Sequence, residues 1–99
     1  PSDACSELFQ VIENRKSHPE EGSYTNSLLK EGDNKILKKI GEETAEFIMA
    51  CKDKNSTLVA NEAADLIFHL QVALAHQNVS WTKVLNVLIK RRGGPRRNQ

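Results

Sequence analysis

Two stretches decide the fold: Asp33-Asn34-Lys35-Ile36-Leu37-Lys38-Lys39-Ile40-Gly41-Glu42-Glu43-Thr44-Ala45-Glu46-Phe47-Ile48-Met49-Ala50-Cys51, then Ser56-Thr57-Leu58-Val59-Ala60-Asn61-Glu62-Ala63-Ala64-Asp65-Leu66-Ile67-Phe68-His69-Leu70-Gln71-Val72-Ala73-Leu74-Ala75-His76. In the first, Ile36, Leu37, Ile40, Thr44, Phe47, Ile48 and Cys51 recur at helical spacing. Asp33 is placed to cap the start, and cationic Lys52 and Lys54 stand near the negative end. In the second, Val59, Ala63, Leu66, Ile67, Leu70, Ala73 and Leu74 form one apolar side, with Ser56 placed to cap it and Asn55-Ser56 as the turn. So short a turn makes the two long helices antiparallel neighbours.

Outward from this pair the pattern stays helical. Leu8, Phe9, Val11 and Ile12 share a face over Ser6–Lys16, ended by Ser17, His18 and Pro19. Asn26–Glu31 reads as a short helical turn closed by Gly32, entered through Ser23-Tyr24-Thr25. Ser80 caps a final helix whose inner face is Trp81, Val84, Leu85 and Leu88. Proline occurs only at positions 1, 19 and 95, and alternating β-branched patterning is absent. The expectation is an all-α bundle of about five helices, one domain over residues 1–92, with a basic, mobile tail at 93–99.

Composition narrows the function. At 38% hydrophobic and 27% charged the chain is globular rather than disordered. Ninety-nine residues bury a limited core, which makes oligomerisation a natural remedy. The net charge of +1 hides an asymmetry, because residues 1–89 carry nine basic against thirteen acidic groups. An acidic body argues against nucleic acid as a partner. No uninterrupted apolar run approaches the roughly 20 residues that cross a bilayer, so no membrane is expected. Cys5 and Cys51 lack CxxC spacing; Cys51 falls in an apolar pattern and is expected to be a buried, reduced thiol, which implies a cytoplasmic protein.

The chemistry lies in carboxylates. Glu43-x-x-Glu46 is followed after fifteen residues by Glu62-x-x-Asp65. Residues three apart on a helix are surface neighbours, so each pair can address one point. Four carboxylates from two facing helices suit Mg²⁺ or Mn²⁺. At about 100° per residue, Glu43 and Glu62 each lie roughly 80° from the middle of their apolar stripes. They should therefore border the helix contact, where a charge is costly unless compensated. Glu46 and Asp65 lie nearer solvent, to reach inward or meet a second subunit. Taken alone, the pattern is equally that of two solvated helix faces. His69, one turn after Asp65, is either a satisfied polar residue or a group that supports the site. Lys35, Lys38 and Lys39 are either solvated partners of acids such as Glu42 or neutralisers of phosphate.

Ser23-Tyr24-Thr25-x-x-Leu28-Leu29-x-x-Gly32, Lys38-Lys39-Ile40-Gly41-Glu42-Glu43-x-x-Glu46 and Glu62-Ala63-Ala64-Asp65-Leu66-x-x-His69 together closely resemble the phosphoribosyl-ATP pyrophosphohydrolase family. The likeness runs from about Leu8 to Arg92, and Phe68 stands where members often carry Tyr. The resemblance implies an all-α nucleoside triphosphate pyrophosphatase (MazG-like) fold and a homodimer. It implies Mg²⁺, with Mn²⁺ as a substitute, held by Glu43, Glu46, Glu62 and Asp65. The implied reaction is attack of water on phosphoribosyl-ATP, giving phosphoribosyl-AMP and diphosphate in histidine biosynthesis. On this reading Glu42, Glu43 and Glu46 are the catalytic candidates, Glu42 for positioning or deprotonating the water. Lys38, Lys39 and His69 are candidates for phosphate contacts, and Tyr24 and Thr25 for the nucleotide pocket. Two other readings stand beside it: a related house-cleaning pyrophosphatase, and a non-enzymatic helical dimerisation module whose basic tail binds nucleic acid.

Overall fold

The computed structural model describes residues 3–92. They form α1 (Ala4–Ser17), α2 (Tyr24–Glu31), α3 (Asp33–Lys52), α4 (Ser56–His76) and α5 (Trp81–Arg91), with no strand among the described residues. The all-α architecture and the long antiparallel pair are as expected; the expected tail at 93–99 lies outside the described residues.

Side-chain caps explain most of the boundaries. Asp3 accepts from the Ser6 N–H and starts α1, Ser23 accepts from Asn26 and starts α2, and Ser80 accepts from Lys83 and starts α5. Two expected caps are displaced by one residue. Asn55, not Ser56, caps α4 by accepting from the Leu58 N–H. Asp33 is the first residue of α3 rather than its cap, and Gly32 precedes it with no capping side chain. The Asp33 carboxylate instead reaches across the bundle to His76 Nδ1 at 2.9 Å and Gln77 Nε2 at 3.1 Å. It thereby ties the start of α3 to the end of α4. Gly32 adopts φ 84°, ψ −161°, a conformation essentially restricted to glycine, which lets α2 and α3 meet without a longer loop.

The core gathers at one end of the long pair. Phe9 and Ile12 of α1, Leu28 of α2, Ile36 of α3, and Val72 and Ala75 of α4 are buried there together. Helices α1, α2 and α3 all pack on α4. By length and composition alone α4 is long and apolar enough to cross a membrane, and 22% of its apolar window is buried in the bundle. Polar groups lock the surroundings of the core. Gln71, fully buried, donates to the Cys5 carbonyl at 2.9 Å. Asn26 accepts from the Glu20 N–H and donates to the Arg15 carbonyl, both at 2.8 Å, which fixes the α1–α2 connection.

Three expectations about burial fail, because the helices packed on each broad apolar stripe cover only part of it. Along α3 the covered line is Ile36, Glu43 and Ala50, seven residues apart. Leu37 and Ile48 are each 54% exposed, and Cys51 is exposed rather than buried. On α5, Trp81 stacks on Phe9 with ring centroids 6.5 Å apart, whereas Leu88, expected on the inner face, is exposed.

Candidate metal and active site

The carboxylates meet on the α3–α4 seam. One oxygen each from Glu43, Glu62 and Asp65 lies within 4.8 Å of the others, a group compact enough to share one cation. Glu43 is not at the border of the helix contact, where its angular position suggested, but on its centre line, and is 7% exposed. Burial there follows from the seven-residue spacing with Ile36 and Ala50, which returns position 43 to the same side of the helix. Asp65 lies at the open side of the group. Glu46 is exposed and lies outside this group of three. Beside the seam lies a recess of about 220 Å³ lined by Glu46, Met49, Ala50, Asp53, Leu58 and Glu62.

The electrostatics of this group are unfavourable as it stands. Partial burial pushes the Glu62 carboxyl above the usual carboxylate range, and Glu46, Glu43 and Asp65 push it further by hydrogen bonding and like charge. Glu43 Oε1 and Glu62 Oε1 are both buried with no hydrogen-bond donor. The only cationic group near Glu43 among the described residues is Lys39, whose Nζ lies 3.9 Å from Oε2. Buried carboxylate oxygens without donors are costly. A divalent cation would supply the missing positive charge, and an all-oxygen donor set suits a hard ion such as Mg²⁺ or Mn²⁺. The residues present fit the ion that the sequence pattern implied.

Around this group stand the other candidates. Lys39 Nζ lies 3.3 Å from Glu42, and Lys38 Nζ 3.9 Å from the same carboxylate. The Glu42 hydrogen bond, chiefly, holds Lys39 above the usual ammonium range. His69 is 5% exposed and its two ring nitrogens are both engaged: Nδ1 with the Asp65 carbonyl at 2.8 Å, Nε2 with the Tyr24 hydroxyl at 3.1 Å. Tyr24 opens α2, stacks on Phe68 at 6.0 Å and meets the His69 ring edge-on at 5.9 Å. Thr25 follows it, half-buried in the first turn of α2. A larger open cleft of about 500 Å³ lies at the α1–α2 connection, with Tyr24 in its wall. No carboxylates converge on it from two helices, so the recess on the seam is the better candidate for chemistry.

Of the four carboxylates expected to converge, the structure brings together Glu43, Glu62 and Asp65 and leaves Glu46 outside the group. Sequence reasoning missed Asn26, which holds the entry to α2, and the tie between Tyr24 and His69. An Asn after a Ser cap carries a weak signal for a turn clip; a contact across 45 residues carries none.

Comparison with known proteins agrees with this geometry. The phosphoribosyl-ATP pyrophosphohydrolase family profile matches residues 5–92. The chain is 68% identical over 98 residues to the histidine biosynthesis bifunctional protein HisIE of Parasynechococcus marenigrum, covering 99% of this chain and 44% of that protein. The corresponding protein of Prochlorococcus marinus matches at the same identity and coverage, and that of a Nostoc species is 54% identical over 92 residues, 93% of this chain and 43% of that protein. The chain therefore spans less than half the length of these curated relatives.

Proposed function

The chain belongs to the phosphoribosyl-ATP pyrophosphohydrolase family, and on that premise we propose that it hydrolyses phosphoribosyl-ATP to phosphoribosyl-AMP and diphosphate at the α3–α4 seam. The observation that carries this reading is the group of three carboxylates within 4.8 Å, two of them with buried, donorless oxygens. Glu43, Glu62 and Asp65, with Glu46 nearby on α3, would hold Mg²⁺ or, in its place, Mn²⁺. A cation bound there would supply the charge that neutralises phosphate oxygens and orients water toward them. Lys38 and Lys39 add positive charge on the approach to the seam. Glu42, steered by both lysines, orients the attacking water and takes up its proton. Tyr24 and Thr25 border the nucleotide. His69 reaches a phosphate only if Tyr24 gives up its hydrogen bond.

We take the catalytic domain as residues 1–92, in keeping with a family match that ends at 92. The broad exposed apolar surface of α3, α4 and α5 supports a homodimer, and two unpaired thiols accord with a cytoplasmic setting. The test is diphosphate release from purified protein offered phosphoribosyl-ATP and, separately, a panel of ordinary nucleoside triphosphates, each with Mg²⁺ or with chelator. Release from phosphoribosyl-ATP alone, abolished by chelator, is expected. Hydrolysis restricted to the ordinary nucleotides, or undiminished by chelator, overturns the assignment.

A further inference from the structure

We propose that Tyr24 and His69 form a positioning pair that holds the Asp65 turn of α4 in the pose that closes the carboxylate group; this rests on the metal-site reading above. The tautomer follows from the hydrogen bonds. His69 Nδ1 lies 2.8 Å from the Asp65 carbonyl, and a carbonyl oxygen only accepts, so Nδ1 carries the proton. In the neutral ring Nε2 then has a lone pair, and the Tyr24 hydroxyl donates to it at 3.1 Å.

The consequence is directional. Tyr24 spends its single proton on His69, and His69 spends its own on the backbone of a residue whose side chain belongs to the carboxylate group. Neither ring has a donor left for a phosphate oxygen. Their chemistry is support, and phosphate contacts fall to Lys38 and Lys39. The rings are also packed against rotation: Phe68 meets His69 edge-on at 5.0 Å and stacks on Tyr24 at 6.0 Å. One side chain at the start of α2 thus reaches the Asp65 backbone of α4 through the His69 ring. Groups that orient metal-binding side chains in this way typically change metal affinity about tenfold or more when removed.

The experiment compares the wild-type chain with Tyr24→Phe, His69→Asn and His69→Gln. Mn²⁺ affinity is titrated without nucleotide, kcat and KM are measured with phosphoribosyl-ATP, and the His69 tautomer is read from ¹⁵N chemical shifts. His69→Asn retains a donor near the Nδ1 position, whereas His69→Gln reaches toward Tyr24 and loses the Asp65 bond. Expected are an Nδ1–H tautomer in the wild type, and a helical Tyr24→Phe protein that binds Mn²⁺ about tenfold more weakly. Its kcat should fall while KM changes little, and His69→Gln should be worse than His69→Asn. An Nε2–H tautomer, or Tyr24→Phe binding Mn²⁺ as tightly as wild type, overturns the proposal. Should His69→Asn fail to fold, Tyr24→Phe still decides. If the wild type binds no Mn²⁺ at all, the metal-site reading fails first, and that result is distinct from a wild type that binds while its variants match it.

Discussion

At position 43 a carboxylate occupies a place that an aliphatic side chain would fill in an ordinary helix pair. Ile36 and Ala50, one heptad to either side, show what the seam prefers. A buried charge with one donorless oxygen lowers the stability of the metal-free fold. Replacing it with a well-packed hydrophobe should therefore help the fold and remove the function. Glu43→Leu is expected to raise the metal-free Tm, by the equivalent of about 1 kcal/mol, and to abolish diphosphate release. Calorimetry and the diphosphate assay check the two halves. Glu62 gives a pH prediction. Its carboxyl titrates above the usual range in the folded chain, so the native state holds protons that the unfolded state has released. The penalty is absent below the unfolded-state value and complete above the folded-state one. Metal-free Tm should accordingly fall as pH rises through and above the usual carboxylate range, and Glu62→Gln should flatten that dependence. Saturating Mg²⁺, which competes with protons for the same oxygens, should reverse its sign.

At the scale of elements, the joints between helices carry the site. Gly32 lets α3 follow α2 directly, and its φ of 84° with ψ −161° is unfavourable for any side chain. A Cβ there would meet His76 Nε2 at an ordinary 3.8 Å, so the cost of substitution is conformational rather than steric. Gly32→Ala should lose about 1–3 kcal/mol. Gly32→Asn should do no better, because asparagine tolerates the left-handed helical region but not this extended one. Thermal melts of both variants check it. The sequence displays these joints unevenly. Ser23 and Ser80 act as caps because their partners are three residues away, a distance that local pattern reports. Asp33 looked equally suited to capping, yet its carboxylate serves His76 and Gln77, more than forty positions on. The same limit hides Tyr24 and His69 from each other. Glu43, Glu62 and Asp65 were legible as a group because spacing and a short turn suffice to bring two helix faces together. The central burial of Glu43 was not, because an apolar stripe that is broad in sequence conceals which line of it the partner helix covers.

The molecule as a whole leaves that stripe half covered. Leu37, Ile48, Met49, Leu58 and Leu70 are 42–63% exposed on the two long helices, and Val87, Leu88 and Ile89 are similarly open on α5. So much apolar surface on an 11.1 kDa chain favours self-association. Light scattering at micromolar concentration should return about twice the chain mass, and Ile48→Asp with Met49→Asp should shift it toward the monomer. A monomer for the wild type would remove the homodimer from the account.

The proposed chemistry depends on one divalent cation between the two long helices. Crystals grown without metal and soaked in MnCl₂ test it directly, because manganese scatters anomalously. The expected difference map has one strong peak contacted by Glu43, Glu62 and Asp65. A map with no peak on the seam, or with the manganese bound elsewhere and these three carboxylates left uncontacted, contradicts it.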